Sequence, residues 1–164
     1  MIKSLKEEQM SVHVTTKKII KEWTDYNDHM NMAYYVLIFD LAWEVILEKF
    51  KMGEHSAKTT KKSTMVVETH TTYDNEVKQG EEVDIVLTYF DHDKKRLHFR
   101  LEMHEKKTKK LSATIEMLSL YIDLNKRKVA EFENEKIKIM DDFINQNKSK
   151  FVKNNLVMEG KLKK

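Results

Sequence analysis

The longest apolar pattern in the chain runs from Met32 to Phe50. Met32, Val36, Phe39, Trp43, Ile46 and Phe50 are spaced 4, 3, 4, 3 and 4 residues apart, which is one stripe of an α-helix. Most positions between them are apolar too: Tyr34, Tyr35, Leu37, Ile38, Leu41, Ala42, Val45 and Leu47. The polar residues Asp40, Glu44 and Glu48 fall on one narrow line at i, i+4 and i+8. The spacing predicts a helix from Asn31 to about Phe50. A helix apolar on almost every side must be enclosed by protein or lie in a membrane. Its line of acids and limited length argue against a membrane span, so other elements are expected to wrap around it.

Period-2 patterns supply those elements. The run Val12–Trp23, with Thr15, Thr16, Ile19 and Ile20, reads as a first strand, and Ser63–Tyr73, Glu82–Asp91, Arg96–Glu105 and Leu111–Leu124 read as four more. The alternation is cleanest in Arg96–Glu105, where Leu97, Phe99, Leu101 and Met103 face one way and His98, Arg100, Glu102 and His104 the other. The later connections are short and polar, so these strands are expected to be antiparallel neighbours. The order β-α-β-β-β-β predicts an α+β domain with one curved sheet around one helix, over residues 1–130. Residues 131–164 read as a charged helix, with apolar positions at Ile137, Met140, Phe143 and Ile144, followed by a basic end expected to be frayed. The other reading of that end is a tail that docks a partner or an anionic ligand.

Composition narrows the class. The 164 residues are 40% hydrophobic and 35% charged, which suits a soluble globular domain. Thirty basic residues are interspersed with 27 acidic ones for a formal net charge of +3, too small to imply nucleic acid. Without cysteine there is no disulfide, thiolate metal site or thiol nucleophile. No metal site is indicated, since the histidines lack ligand spacing and Asp91-His92-Asp93 suits a turn. No cofactor is implied. The N-terminal stretch has no apolar signal core, so a cytoplasmic location is expected. Proline is absent and glycine occurs three times, so turns fall to Asp, Asn and Lys.

The chemistry-bearing stretch is Trp23-Thr-Asp25-Tyr26-Asn-Asp28-His29-Met-Asn31, between the first strand and the helix. Asx residues before a helix are ordinary N-caps. In this position the stretch also resembles the Asp-x-x-Gly-His-x-Asn motif of thioesterases similar to 4-hydroxybenzoyl-CoA thioesterase, which have the hot-dog fold. Asp25, His29 and Asn31 match, aromatic Tyr34 and Tyr35 follow, and Asp28 stands where the family has glycine. Three segments, WTDYNDHMNMAYYVLIFD, ETHTTYDNEVKQGEEV and FDHDKKRLHFRLEMHE, look like parts of betainyl-CoA thioesterases of carnitine breakdown.

The resemblance implies an acyl-CoA thioesterase with sites between protomers of a homodimer or homotetramer. It implies that Asp25 is the catalytic carboxylate, as general base or nucleophile, with His29 holding the loop or donating to the carbonyl and Asn31 positioning water or bonding the loop backbone. The exposed N–H groups and dipole of the helix start would stabilise a developing oxyanion. Glu68 and His70, at i and i+2 on a strand, share a face; if it points to solvent the pair is ordinary, and if it lines the pocket Glu68 is a second carboxylate or binds a cationic acyl group, with His70 a substrate contact. A trimethylammonium acyl group would need aromatic faces, for which Trp23, Tyr26, Tyr34 and Tyr35 are candidates. Lys94, Lys95 and Arg96 at a hairpin tip could meet CoA phosphates, or form an ordinary solvated turn. Competing readings are a thioesterase for fatty or aromatic acyl groups and a non-catalytic acyl-CoA-binding domain, the latter favoured by the glycine-to-aspartate change. A hot-dog hydratase fits poorly, because its Asp-x-Asn-Pro-x-His motif needs a proline and another spacing.

Overall fold

The structure, a computed structural model, describes residues 11–164. Strand β1 (Val12–Lys18) leads through a 3-10 turn at Lys21–Trp23 to helix α1 (Met32–Lys49). A short helix α2 (Glu54–Thr60) precedes β2 (Lys62–Tyr73), β3 (Glu82–His92), β4 (Arg96–Glu105) and β5 (Leu111–Asp123). A two-residue strand β6 (Lys128–Val129) and helix α3 (Asn134–Asn147) follow. The strands form one antiparallel sheet in the order β1-β3-β4-β5-β2, with β6 on β5. This is the hot-dog architecture, a sheet curled around one helix.

Two expectations at the start of the sheet and along the helix need correction. β1 stops at Lys18, whose partner Glu82 is the first residue of β3, so the chain beyond has no strand to pair with. Ile19 still buries its side chain, and Lys21–Trp23 then turns, with the Thr24 hydroxyl donating to Lys21 O at 2.7 Å. Nor is α1 enclosed all round. Tyr35, Ile38, Phe39, Ala42, Trp43, Ile46 and Leu47 pack on the sheet. Val36, Leu37, Leu41 and Val45 on the other side remain 38–41% exposed. One chain therefore covers one side of a helix whose sequence is apolar on two.

The inner face of the sheet meets α1 through Leu87, Phe90, Leu97, Phe99, Leu101, Ile115 and Met117. Trp43 stacks on Phe99, and Phe50 and Phe90 close around it. Each such side chain contributes roughly 1.5–3 kcal/mol by leaving water, and truncating Phe39, wholly buried, to alanine should cost about 3–5 kcal/mol. The register breaks once in each of β1, β2 and β3, after His13, Val66 and Leu87. Bulges of this kind bend the bulged strand and increase its twist.

With proline absent, turns are closed by residues in the left-handed region. Asp28, Lys51, Lys61, Lys109 and Arg127 all have positive φ. Lys51 ends α1 in this way, where glycine is usual.

The expected frayed end is instead seated on the outer face of the sheet. Val152 donates its N–H to Thr88 O at 2.9 Å, and the ring of Phe151 meets Tyr89. Farther on, the N–H groups of Val157 and Met158 donate to the two carboxylate oxygens of Glu116 at 2.8 and 2.9 Å, and His98 Nε2 lies 2.7 Å from the same group. Burial alone would raise the Glu116 pKa, but the Val157, His98 and Met158 donors outweigh it and hold the carboxyl below its ordinary range. The chain then reaches the β3–β4 turn, where Lys163 N–H donates to Asp93 at 2.8 Å.

Candidate active site

The loop before α1 is built by its own backbone. Asp25 N–H donates to His29 O at 2.9 Å, Asp28 N–H to Asp25 O at 3.0 Å, and Asn31 N–H to Trp23 O at 2.9 Å. Two rungs pin the loop to the β2–β3 connection: Met30 N–H to Val77 O at 2.8 Å and Gln79 N–H to Asp28 O at 3.1 Å. Asp28 sits at φ 61°, the left-handed conformation that a glycine at this motif position would take freely. The substitution keeps the loop's shape and changes what it exposes.

Asp25 is half-buried, and its Oδ1 accepts the Asn27 N–H at 2.8 Å. This bond orients the carboxylate and leaves it lone pairs for water or substrate. Asn31 is the N-cap of α1: its side chain accepts from Ala33 N–H at 3.0 Å, and its carbonyl from Tyr34 N–H at 3.0 Å. Among the described residues, Met32 N–H has no acceptor of this kind, so the helix start retains a donor with the positive end of the dipole behind it. Carboxylate, donor and a half-buried imidazole thus lie on one short loop.

His29 brings in a residue that sequence reasoning missed. Its Nδ1 is 2.9 Å from Glu76 Oε2, on the β2–β3 connection. The pair fixes the ring and favours a proton on Nδ1, which frees Nε2. Nothing local marks Glu76, which sits in a polar turn far along the chain.

The four candidate aromatics separate. Trp23 and Tyr34 stack beside the loop, ring centroids 6.3 Å apart and planes at 23°. Tyr26 is 95% exposed. Tyr35 turns into the core, meets Tyr73 edge-on and accepts the Val77 N–H at 3.2 Å. Burial pushes its phenol above the ordinary value, offset in part by the Val77 bond, while Glu76 and Glu81 push it further up. Tyr35 is therefore a neutral post under the loop.

Glu68 and His70 do share a face, but it is the outer one. A bulge at Val67 shifts the register, so Glu68 pairs with Leu118 and His70 with Glu116, whose side chains point away from α1. Glu68 lies 3.6 Å from Lys161 of the C-terminal segment. The structure does not bring this pair to Asp25 within one chain. Lys94, Lys95 and Arg96 form the β3–β4 turn, a full strand from the loop: β3's 11 residues span about 33 Å. Arg96 is paired with Asp93 at 2.9 Å.

A concavity of about 370 Å³ lies between α1, α2 and β2 and is lined by Asp40, Trp43, Glu44, Gly53 and Val66. It begins two turns along α1 from the loop, roughly 12 Å at 1.5 Å per residue. Glu44 is committed there to α2, accepting the Glu54 N–H at 2.8 Å. Among the described residues no group of three or more His, Asp or Glu side chains is placed to hold a metal ion, and no helix is long and apolar enough to cross a membrane.

Comparison with known proteins agrees with this geometry. The model of the thioesterase-like superfamily matches residues 20–146. A betainyl-CoA thioesterase of Pseudomonas aeruginosa is 29% identical over 128 residues, 77% of this chain and 80% of that protein. An L-carnitine dehydrogenase/betainyl-CoA thioesterase of Rhizobium meliloti is 28% identical over 106 residues, covering 65% of this chain and 21% of that longer protein. The Staphylococcus aureus protein SAV2348, solved in complex with CoA, superposes with a TM-score of 0.80 at 22% identity, covering 92% of this chain and 94% of that one. With the family model spanning the loop, α1 and the whole sheet, the chain belongs to the thioesterase-like superfamily and is a thioester hydrolase.

Proposed function

We propose that the protein hydrolyses a small acyl-CoA, betainyl-CoA in the first place, to the free acid and CoA in the cytoplasm. The observation that carries this is the half-buried Asp25 carboxylate next to the α1 N-terminus with its free Met32 N–H. In this reading the thioester oxygen points at the helix start, where charge developing on it is stabilised. Asp25 either draws a proton from the attacking water or attacks the carbonyl itself. His29, its Nδ1–H held by Glu76, fixes the loop beside Asp25 and leaves Nε2 as an acceptor for the attacking water.

The betainyl choice rests on the two relatives and on the Trp23–Tyr34 stack. A trimethylammonium group has no N–H to donate, and an aromatic face is worth roughly 0.5–2 kcal/mol to it. The exposed carboxylate of Asp28 adds negative charge to the same loop. Hydrolysis of a panel of acyl-CoAs, followed by thiol release, tests the reading. Betainyl-CoA should be preferred, and Asp25→Asn should lose activity on every substrate. Thiol release untouched by Asp25→Asn would refute the role given to that residue. The non-catalytic alternative drew on Asp28; its left-handed φ keeps the backbone shape of the motif, which favours the catalytic reading.

The working unit in this reading is a homodimer. β2 is a sheet edge of 12 residues on which Met65, Val66 and Val67 are 45–52% exposed, beside the bare flank of α1. An unpaired apolar edge next to an apolar helix flank is the surface a second copy would cover. Antiparallel pairing of β2 with its own copy sets the β3–β4 turn of one subunit at the end where the other's Asp25 loop lies. Lys94, Lys95 and Arg96 then serve the CoA of the partner's site, resolving their distance from their own loop.

A further inference from the structure

The β3–β4 turn is not made by its own residues alone. Asp93, with its side chain 2% exposed, organises it: Oδ1 accepts the N–H groups of Lys95 and Arg96 at 2.8 and 2.7 Å, and Oδ2 accepts from the Arg96 guanidinium at 2.9 Å. The same Oδ2 accepts the backbone N–H of Lys163 at 2.8 Å. One residue later, Lys164 Nζ reaches Asp91 at 2.6 Å. Two stretches some seventy positions apart are thereby joined at one buried carboxylate.

The join concentrates positive charge. Asp93 is neutralised by Arg96, and Asp91 by Lys164. His92 at the end of β3 turns to Asp141 at 2.6 Å. The ammonium groups of Lys94, Lys95 and Lys163 have no carboxylate partner among the described residues. Lys94 and Lys163 are exposed and Lys95 partly so. Three unneutralised cations thus stand around a turn whose backbone is rigidly bonded. Lys161 lies 3.6 Å from Glu68.

We propose that Lys163, carried in by the C-terminal segment, completes with Lys94 and Lys95 a phosphate-binding cluster whose ligand is the nucleotide end of the CoA thioester. The inference rests on the CoA-thioester reading above, and extends it by making the C-terminal segment part of substrate recognition. Point charges on flexible stems suit phosphate groups in varied orientations. Such a cluster acts on binding and leaves the chemical step alone, because its cations meet the nucleotide phosphates, at the far end of CoA from the thioester. The backbone bond to Asp93 holds Lys163 in place whatever its side chain, so Lys163→Ala removes the charge without unseating the segment.

The test pairs two readouts. Adenosine 3′,5′-bisphosphate, the phosphorylated nucleotide without a thioester, is titrated calorimetrically into wild type, Lys163→Ala and Lys163→Arg. A lost charge-assisted contact corresponds to about tenfold weaker binding or more for the alanine variant, with arginine retaining it and the gap closing as salt rises. In parallel, KM and kcat are measured on betainyl-CoA and on betainyl-pantetheine, which lacks the nucleotide. Lys163→Ala should raise KM about tenfold on the CoA ester alone, with kcat unchanged. Equal bisphosphate binding by wild type and Lys163→Ala, or equal KM losses on both esters, would overturn the proposal. Absence of betainyl hydrolysis would count against the substrate reading only, since the bisphosphate titration needs no turnover.

Discussion

Glu76 holds the imidazole of His29 at 2.9 Å from the far side of the β2–β3 connection, so the loop ahead of α1 is oriented by a residue nearly fifty positions downstream. The two Nδ1–carboxylate partners are only partly buried, which keeps the pair modest in energy. Its value lies in ring orientation. Replacing Glu76 by Gln retains a hydrogen-bond acceptor and removes the charge, and should lower kcat by about fivefold, the difference between a charge-assisted and a neutral hydrogen bond. Glu76→Ala should lose more. If both variants turn over as fast as wild type, His29 has no role in the chemical step that depends on this contact.

Asp28→Gly separates loop shape from loop charge. The left-handed φ of 61° costs an aspartate energy that glycine does not incur. The variant should be more stable by about 0.5–1 kcal/mol, read as a higher urea midpoint with an unchanged slope. If the Asp28 charge assists a cationic acyl group, KM for betainyl-CoA rises while KM for acetyl-CoA stays put.

Tyr34→Ala and Tyr35→Ala should fail differently. Tyr34 is half of the stack beside the loop, so its loss should raise KM for betainyl-CoA severalfold more than for a neutral acyl-CoA. Tyr35 is 5% exposed and supports Val77, so its truncation should cost about 3 kcal/mol of stability and affect all substrates alike. Thermal midpoints and kinetics on two substrates distinguish the two patterns.

Leu41 is 41% exposed on the bare flank of α1. On a monomer, Leu41→Glu should change stability by less than about 0.5 kcal/mol. In the proposed dimer it buries a charge at the interface, and sedimentation velocity should show a shift to monomer with loss of activity. An unchanged sedimentation coefficient would place the interface elsewhere.

Acid stability should depend on Glu133. Burial pushes its carboxyl up, but the Lys62 ammonium, the Tyr121 hydroxyl and Lys136 outweigh it, and the pKa falls from 4.5 to about 2. A depressed carboxylate contributes stability that is full above its unfolded value and lost as pH falls through the folded one. Wild type should therefore lose stability between about pH 4.5 and pH 2, and Glu133→Gln should be less stable at neutral pH with a flatter acid limb. Chemical denaturation at several pH values reads this directly.

The major elements were legible because their periods differ. α1 follows the 3.6-residue repeat and β4 the two-residue one, and both lie within a residue of where the pattern puts them. What was not legible depends on contacts distant in sequence. α2 has no apolar period and starts where Glu44, ten residues back, accepts its first N–H. The bulge at Val67 reverses which side of β2 each residue faces, and no local signal announces it. The apolar excess of α1 was read as burial within one chain, whereas the chain leaves that flank bare. Within the site, the loop residues Asp25, His29 and Asn31 stood together in sequence and stand together in space. Glu76 and the seat of Lys163 on Asp93 could only be found in three dimensions.

Among the described residues, four of the five non-glycine residues at positive φ are cationic: Lys51, Lys61, Lys109 and Arg127. Each accepts a backbone conformation costing roughly 1–2 kcal/mol to side chains of this kind. Exchanging all four for glycine would relieve that strain, and would also strip four charges from a chain whose formal net charge is +3, carrying it across neutrality. A protein near zero charge self-associates readily, and one with an apolar sheet edge all the more. The strained turns thus have a colloidal consequence: the same residues that make the fold less comfortable keep its copies apart until they meet edge to edge.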